Sequence, residues 1–245
     1  MPRSKPGAPK RTKRVPIPAA EVTTGAEGAS LVEAVYHRLL YGILTGVYPD
    51  GSVLSELGVA RDLGVSRTPV HDALRLLGKD GLVVRERNCR ARVAAITPDD
   101  VFEVFEMRKI LEGPAAELAA GRMDRRHLTP LRTAADWLAA NPKAADWVTR
   151  WAEFDEAFHR EIANASGNRR LAADINRYRL LHTGFNRLAT DATTLKPALA
   201  EHIAILEALE TRNGPLARER MVAHIATWQD HFIQHVPRPR PGGPG

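Results

Sequence analysis

Asp155 and His159 stand four positions apart in the run DEAFH, so on a helix both side chains leave the same face and can chelate a single cation. His202 opens a second helical pattern, in EHIAILEAL, and His224 lies inside a third, RERMVAHIATWQDHF, with His231 and His235 farther along it. If those helices face one another, imidazoles and a carboxylate meet in one bundle core, a donor set suited to zinc, nickel, cobalt or manganese. The alternative is structural: Asp155 and His159 as a hydrogen-bonded pair, His202 and His224 as capping or partly buried polar residues. From the residues alone both readings stand.

A second group of residues suits nucleic acid. In SRTPVHDALRLL, Ser66 is placed to cap a helix and Pro69 is tolerated in a first turn whose amides have no intrahelical acceptor. Arg67, Thr68 and His71 then sit near the exposed N-terminal end, while Val70, Leu74 and Leu77 form the buried stripe and Arg75 projects away from it. Arginine grips guanine O6 and N7 with two bonds, and a helix N-terminus attracts phosphate. Arg87, Arg90 and Arg92 follow in VVRERNCRARVAA, a pair of short β-like runs around a basic loop that reads as a two-stranded wing reaching phosphates or the minor groove. Charged faces of this kind are also found simply solvated.

The elements that must hold these groups follow from periodicity. Residues 29–45 form an amphipathic helix with Leu31, Val35, Leu39 and Ile43 at helical spacing, GVYPDGSVL a turn, and residues 55–63 and 66–78 two helices joined by a tight turn at Gly64 and Val65. Thr97 and Pro98 supply an N-cap and a first-turn proline. Beyond them only helical patterns occur, over residues 98–121, 125–140, 144–165, 168–188, 195–212 and 215–235, punctuated by Gly, Asn and Pro. The fold class is therefore mainly α: a winged helix-turn-helix with a small β wing over residues 29–96, then an all-α six-helix bundle over residues 97–235. Residues 1–28 and 236–245, rich in Pro, Gly, Lys and Arg, are expected to be disordered tails. The tails hold the charge excess. Of the formal +6, residues 1–28 contribute +4 (six basic, two acidic) and the end +2 from Arg238 and Arg240, against +2 for residues 29–97 and −2 for residues 98–235. A high isoelectric point by itself therefore says little about DNA. The single cysteine, Cys89, permits no intramolecular disulfide, and no apolar run or signal-peptide core is present, which leads to the expectation of a cytoplasmic protein.

GVYPDGSVLSE followed by LGVSRTPVHDALRLLGKDGLVV resembles the winged-helix domain of GntR-type regulators, over roughly residues 31–96. His71 departs from that pattern, standing where the family usually has a DNA-contacting Arg; Asp50 replaces the second Pro of its usual turn, and Arg90 a common wing Gly. FEMRKILEGPAAELAA, DEAFHREIANASGN, EHIAILEAL and ARERMVAHI, in order, resemble the FCD-type effector domain of the FadR-like branch of that family. The resemblance implies an Asp and three His as metal ligands, here Asp155, His159, His202 and His224. It also implies a homodimer on an inverted-repeat DNA operator, a repressor released by a small-molecule effector, an organic acid, and a role for Arg108 in holding that effector. The rival role for Arg108 is a salt bridge to Glu112, one turn on. Asn176, Arg179 and His182 are expected to line the same cavity, or to form a polar helix surface. The Trp residues at 137, 147, 151 and 228 read as core or dimer interface, with no ligand role.

Two other function classes compete. A metalloenzyme would use the Asp/His site to activate water, but no HExxH, GxSxG or glycine-rich phosphate loop accompanies it. A nonspecific architectural DNA binder would rely on the basic tail, and competitor DNA separates it from an operator reader.

Overall fold

The computed structural model describes residues 31–44, 46–86, 90–95, 97–189 and 192–235. Both expected tails, Arg87 and Cys89 lie outside the described residues. The chain divides into two compact units, one up to Val93 and one from Ala94 onward.

The first unit begins with α1 (Leu31–Leu44), whose Val35, Leu39, Leu40 and Ile43 are buried along one face. It packs on α3 (Arg67–Lys79), where Val70, Ala73, Leu74 and Leu77 are fully buried at the spacing an amphipathic helix requires. Between them lies α2 (Glu56–Leu63), capped by the Ser55 hydroxyl, which accepts from the Gly58 amide at 3.0 Å. Gly64 ends α2 at φ 68°, a left-handed conformation that costs glycine little, and so turns the chain into α3. The sheet has three strands rather than the expected two. β1 (Val53–Ser55) pairs antiparallel with β3 (Arg90–Val93), which also pairs with β2 (Val83–Glu86), giving the order β1-β3-β2. Leu54, Ala91, Val83 and Val93 turn inward from it. β1 is three residues long, too short to leave an alternating pattern, and is defined by its pairing with β3.

The second unit contains α4 (Pro98–Ala120), α5 (Arg125–Ala140), α6 (Trp147–Ala165), α7 (Arg169–Ala189), α8 (Ala192–Glu210) and α9 (Gly214–His235). Thr97 caps α4 in a reciprocal box: its hydroxyl accepts from the Asp100 amide, and the Asp100 carboxylate accepts from the Thr97 amide at 2.8 Å. α4 packs against α6, α7, α8 and α9. Where α4 faces α9, a side chain on Gly113 would meet Val222 at 2.7 Å, so a larger residue there would force a shift. Phe105, Phe158, Ile162 and Phe232 fill the interior, and Trp147 joins them with its indole N–H donated to the Leu138 carbonyl at 2.9 Å. No helix among the described residues is long and apolar enough to cross a membrane.

Candidate functional site

α6 presents Asp155 and His159 from consecutive turns, α8 supplies His202, and α9 supplies His224. The three imidazoles are buried and converge, with ring centroids 5.3 Å (His159–His202), 4.5 Å (His202–His224) and 5.7 Å (His159–His224) apart. One ligand atom from each lies within 4.8 Å of the others. Asp155 Oδ1 is 3.2 Å from His202 Nε2 and 3.7 Å from His159 Nε2. All four residues singled out by type and spacing thus meet in one place. His231, the alternative on the last helix, instead packs on Trp228 and Phe232, and the side chain of His235 lies outside the described residues.

Each ring is oriented by an acceptor at its other nitrogen. His159 Nδ1 faces Glu112 Oε2 at 2.5 Å, His202 Nδ1 the Ala198 carbonyl at 2.7 Å, and His224 Nδ1 Glu201 Oε2 at 2.6 Å. Carboxylates and carbonyls only accept, so Nδ1 carries the proton in each ring and the neutral tautomer turns its lone pair outward at Nε2. The Nε2 atoms of His159 and His202 are buried with no hydrogen-bond partner. His202 Nε2 faces Asp155 Oδ1 at 3.2 Å, close enough for the imidazole and the carboxylate to share one cation. Burial, and then the Arg179 charge, push His159 down to about 3; burial and the His202 ring push His224 down to about 4. Burial alone would raise the Asp155 carboxyl, but Arg179, His202 and His159 hold it well below the usual carboxylate range. His159 and His224 neutral and Asp155 ionised are protonation states suited to binding a divalent transition metal. Glu112 and Glu201 complete the arrangement by orienting His159 and His224, and type and spacing gave no sign of that role.

Around this cluster lie two buried arginines. Arg108 donates from Nε to Glu112 Oε1 at 2.7 Å, so the salt bridge expected as its rival role is present, while its Nη2 has no partner. Arg179 donates to Asp155 Oδ2 at 2.6 Å. His182, with Nδ1 unpartnered, is packed edge-on against Phe105 and Phe232. Asn176 does not join them: the inward face of α7 runs through Ala172, Ile175, Arg179 and His182, and Asn176 is one position off it and exposed. A cavity of about 20 Å³ remains, lined by Trp151, Asp155, His182, Leu195, Ala198, His224 and Trp228. Trp151 and Trp228 therefore belong to the wall of the site and not only to the core; Trp228 also donates to Glu201 at 3.2 Å.

In the first unit, Ser66 occupies the cap position of α3, but its side chain makes no capping bond. Ser66, Arg67, Thr68 and Arg75 are exposed, and Arg75 lies 4.0 Å from Asp72. On the sheet, Arg90 is exposed and Arg92 donates to the Gly51 carbonyl at 2.6 Å. A group the sequence reading passed over joins two of the candidates: Glu56, buried at the start of α2, contacts His71 at 2.8 Å and Arg67 at 3.3 Å.

Comparison with known proteins bears on both units. Residues 31–93 match the model of bacterial regulatory proteins of the gntR family, and residues 103–227 match the FCD domain. An HTH-type transcriptional regulator in the TAR-I ttuE-ttuC' intergenic region of Agrobacterium vitis is 36% identical over 137 residues, 55% of this chain and 80% of that protein. A probable D-xylose utilization operon transcriptional repressor of Paenarthrobacter nicotinovorans is 28% identical over 186 residues, 76% of this chain and 81% of its own length. The solved structure of E. coli McbR/YncC superposes with a TM-score of 0.69 at 20% identity, covering 84% of this chain and 98% of that one, and so shares its fold.

Proposed function

Because this chain belongs to the GntR family of bacterial transcriptional regulators and carries an FCD domain, we propose that it is a repressor whose hold on DNA is released by a small carboxylate bound at a metal centre. The protein is a regulator and not an enzyme. A homodimer presents two copies of α3 to the half-sites of an inverted-repeat operator, since two-fold symmetry in the protein calls for the same symmetry in the DNA. Ser66, Arg67, Thr68, His71 and Arg75 read the major groove, and Arg90 and Arg92 hold the backbone or minor groove. Repression is the sense suggested by the Paenarthrobacter relative, whose name describes a repressor.

Asp155, His159, His202 and His224 would hold the metal. Zinc, nickel or manganese there supplies positions at which a carboxylate oxygen can bind. Arg108, Arg179 and His182 stand around those positions and favour an anion, Arg108 through its unpartnered Nη2. The cavity bears on coupling. About 20 Å³ holds roughly one water molecule, so even a small organic acid enters only if Trp151, Leu195 or Trp228 moves, and those side chains belong to α6, α8 and α9. Ligand entry is therefore also a repacking of the bundle, the kind of two-state change that makes liganded and unliganded forms bind operator differently.

The observation that carries this reading is the convergence of three buried imidazoles, each held at Nδ1 by an acceptor and two of them with Nε2 unpartnered, beside the Asp155 carboxylate. Elemental analysis of the purified protein and of His159→Ala and His224→Ala, with melting measured before and after chelation, tests it. The reading expects bound metal in the wild type, its loss in both variants, and a lower melting temperature on chelation. A wild type that takes up no zinc, nickel or manganese after incubation removes the metal centre from the account.

A further inference from the structure

A groove between α5 and α6 is lined by none of the candidate metal or effector residues. On α5, Leu131, Ala134 and Leu138 recur at steps of three and four, and on α6 Phe154 and Ala157 are three apart, so each helix turns one face into the groove. Leu131, Leu138 and Phe154 are buried, and the short side chains of the two alanines leave a cavity of about 230 Å³. An apolar cavity of about 150 Å³ already holds benzene, so this one takes a ring or a branched alkyl group with a few atoms more. Phe154 also packs against the ring of His202 at 5.5 Å, so the groove abuts the histidine cluster without sharing its ligands.

Two charged residues join this apolar lining, both from α6. The Arg150 guanidinium lies 4.3 Å over the ring of Trp137, which forms part of the wall. Its Nε donates to Asp146 Oδ2 at 2.6 Å, and among the described residues its two terminal nitrogens have no partner. Glu153, exposed and three positions on, lines the groove as well, and no ion pair joins it to Arg150. A guanidinium and a carboxylate therefore stand side by side over an apolar floor. An apolar acid would meet like charge at Glu153 and an apolar amine would meet it at Arg150, whereas a zwitterion satisfies both. We infer that this groove binds an apolar α-amino acid, with its carboxylate on Arg150, its ammonium on Glu153 and its side chain between α5 and α6. Leu131, Leu138 and Phe154 offer no polar group, so the side chain it takes is one such as that of leucine or phenylalanine. The site is separate from the metal centre and its carboxylate.

Isothermal titration calorimetry of the full-length protein with L-phenylalanine tests this, with 3-phenylpropionate and phenethylamine as the relatives that keep one charge each. Phenylalanine is expected to bind at about millimolar concentration or tighter, as suits so small a ligand. Each relative is expected to bind roughly tenfold more weakly, the loss of one charged hydrogen bond. Arg150→Gln and Glu153→Gln, both exposed and so compatible with folding, are expected to weaken phenylalanine by a similar factor, and Ala134→Trp, which fills the cavity, to abolish its binding. Chelation of the wild type is expected to leave the titration unchanged. Binding lost on chelation would place the amino acid at the metal and overturn the inference, while failure of the metal reading leaves this titration as it is. No binding to the wild type, tighter binding of 3-phenylpropionate than of phenylalanine, or affinity unaltered in both rim variants would overturn it as well. A change of oligomeric state in Ala134→Trp, in a protein whose wild type binds no phenylalanine, would mark the groove as a contact between two copies of the chain.

Discussion

Replacing Glu112 with Gln changes one oxygen to an NH₂ group with almost no change of shape, at a position where both oxygens are in use. Oε1 accepts from Arg108 at 2.7 Å and Oε2 from His159 Nδ1 at 2.5 Å. A guanidinium cannot give up its protons, whereas an imidazole can move its own from one nitrogen to the other. The glutamine carbonyl therefore turns to Arg108, and its NH₂ meets His159 Nδ1, which must become an acceptor. His159 then carries its hydrogen on Nε2, and one ligand lone pair is withdrawn from the cluster. Loss of such a supporting contact lowers metal affinity about 10- to 100-fold, or roughly 1.4–2.7 kcal/mol. The fold is weakened as well, because Arg108, 1% exposed, loses its buried counter-charge; the scale for breaking such a pair is about 3–5 kcal/mol, and the retained hydrogen bond places Glu112→Gln near the lower end. Zinc competition against a chromophoric chelator reads the first effect and urea unfolding of metal-free protein the second. Zinc affinity equal to the wild type would refute the argument that Glu112 sets the His159 tautomer.

In metal-free protein, acid should weaken the fold through His159 and His224, whose native pKa values of about 3 and about 4 lie below the roughly 6.5 of an unfolded histidine. The unfolded chain then binds more protons, so stability is complete above about pH 6.5 and falls below it by about 1.4 kcal/mol per pH unit per ring, until the native rings themselves protonate. The pair is thus predicted to lose about 3 kcal/mol by pH 5.5, and equal urea midpoints at pH 7.5 and 5.5 would contradict this. Thr97→Ala removes half of the capping box on α4 and should lower stability by about 1 kcal/mol without altering metal content. Leu74→Ala, in the fully buried face of α3, should lower stability by roughly 2–5 kcal/mol and weaken operator binding on mild heating, again with metal content unchanged.

Much of this arrangement is legible in the sequence because helical periodicity and end signals coincide. Residues 125–140 are one helix in both readings, opened by Asp124 and closed at Asn141. The helix expected from residue 144 begins instead at Trp147, since the residues just before it form a turn rich enough in alanine to resemble helix. Asp155 and His159 are readable as a pair because four positions make one turn, but their convergence with His202 and His224 depends on how three helices pack, which spacing within a helix does not encode. Glu112 lies 47 positions from His159, and Glu56 lies 15 from His71 in a different helix; such supports become visible only in the folded chain. Of the two places open to Asn176, the exposed face of α7 is the one it takes, because the buried positions of α7 step by three and four from Ala172, and polarity alone does not distinguish their face from its neighbour. For Arg108 the two alternatives were not exclusive, because one guanidinium nitrogen pairs with Glu112 while another stays unpartnered in the interior.

The most direct test of the account is operator affinity of the metal-loaded full-length protein, measured by fluorescence anisotropy in matched salt with and without acetate, lactate, malonate and citrate, alongside His224→Ala. The account predicts that at least one of these carboxylates weakens wild-type binding tenfold or more, a coupling of about 1.4 kcal/mol, and that His224→Ala binds the operator but no longer responds. Equal operator affinity with and without every carboxylate, or the same release in His224→Ala, would contradict it.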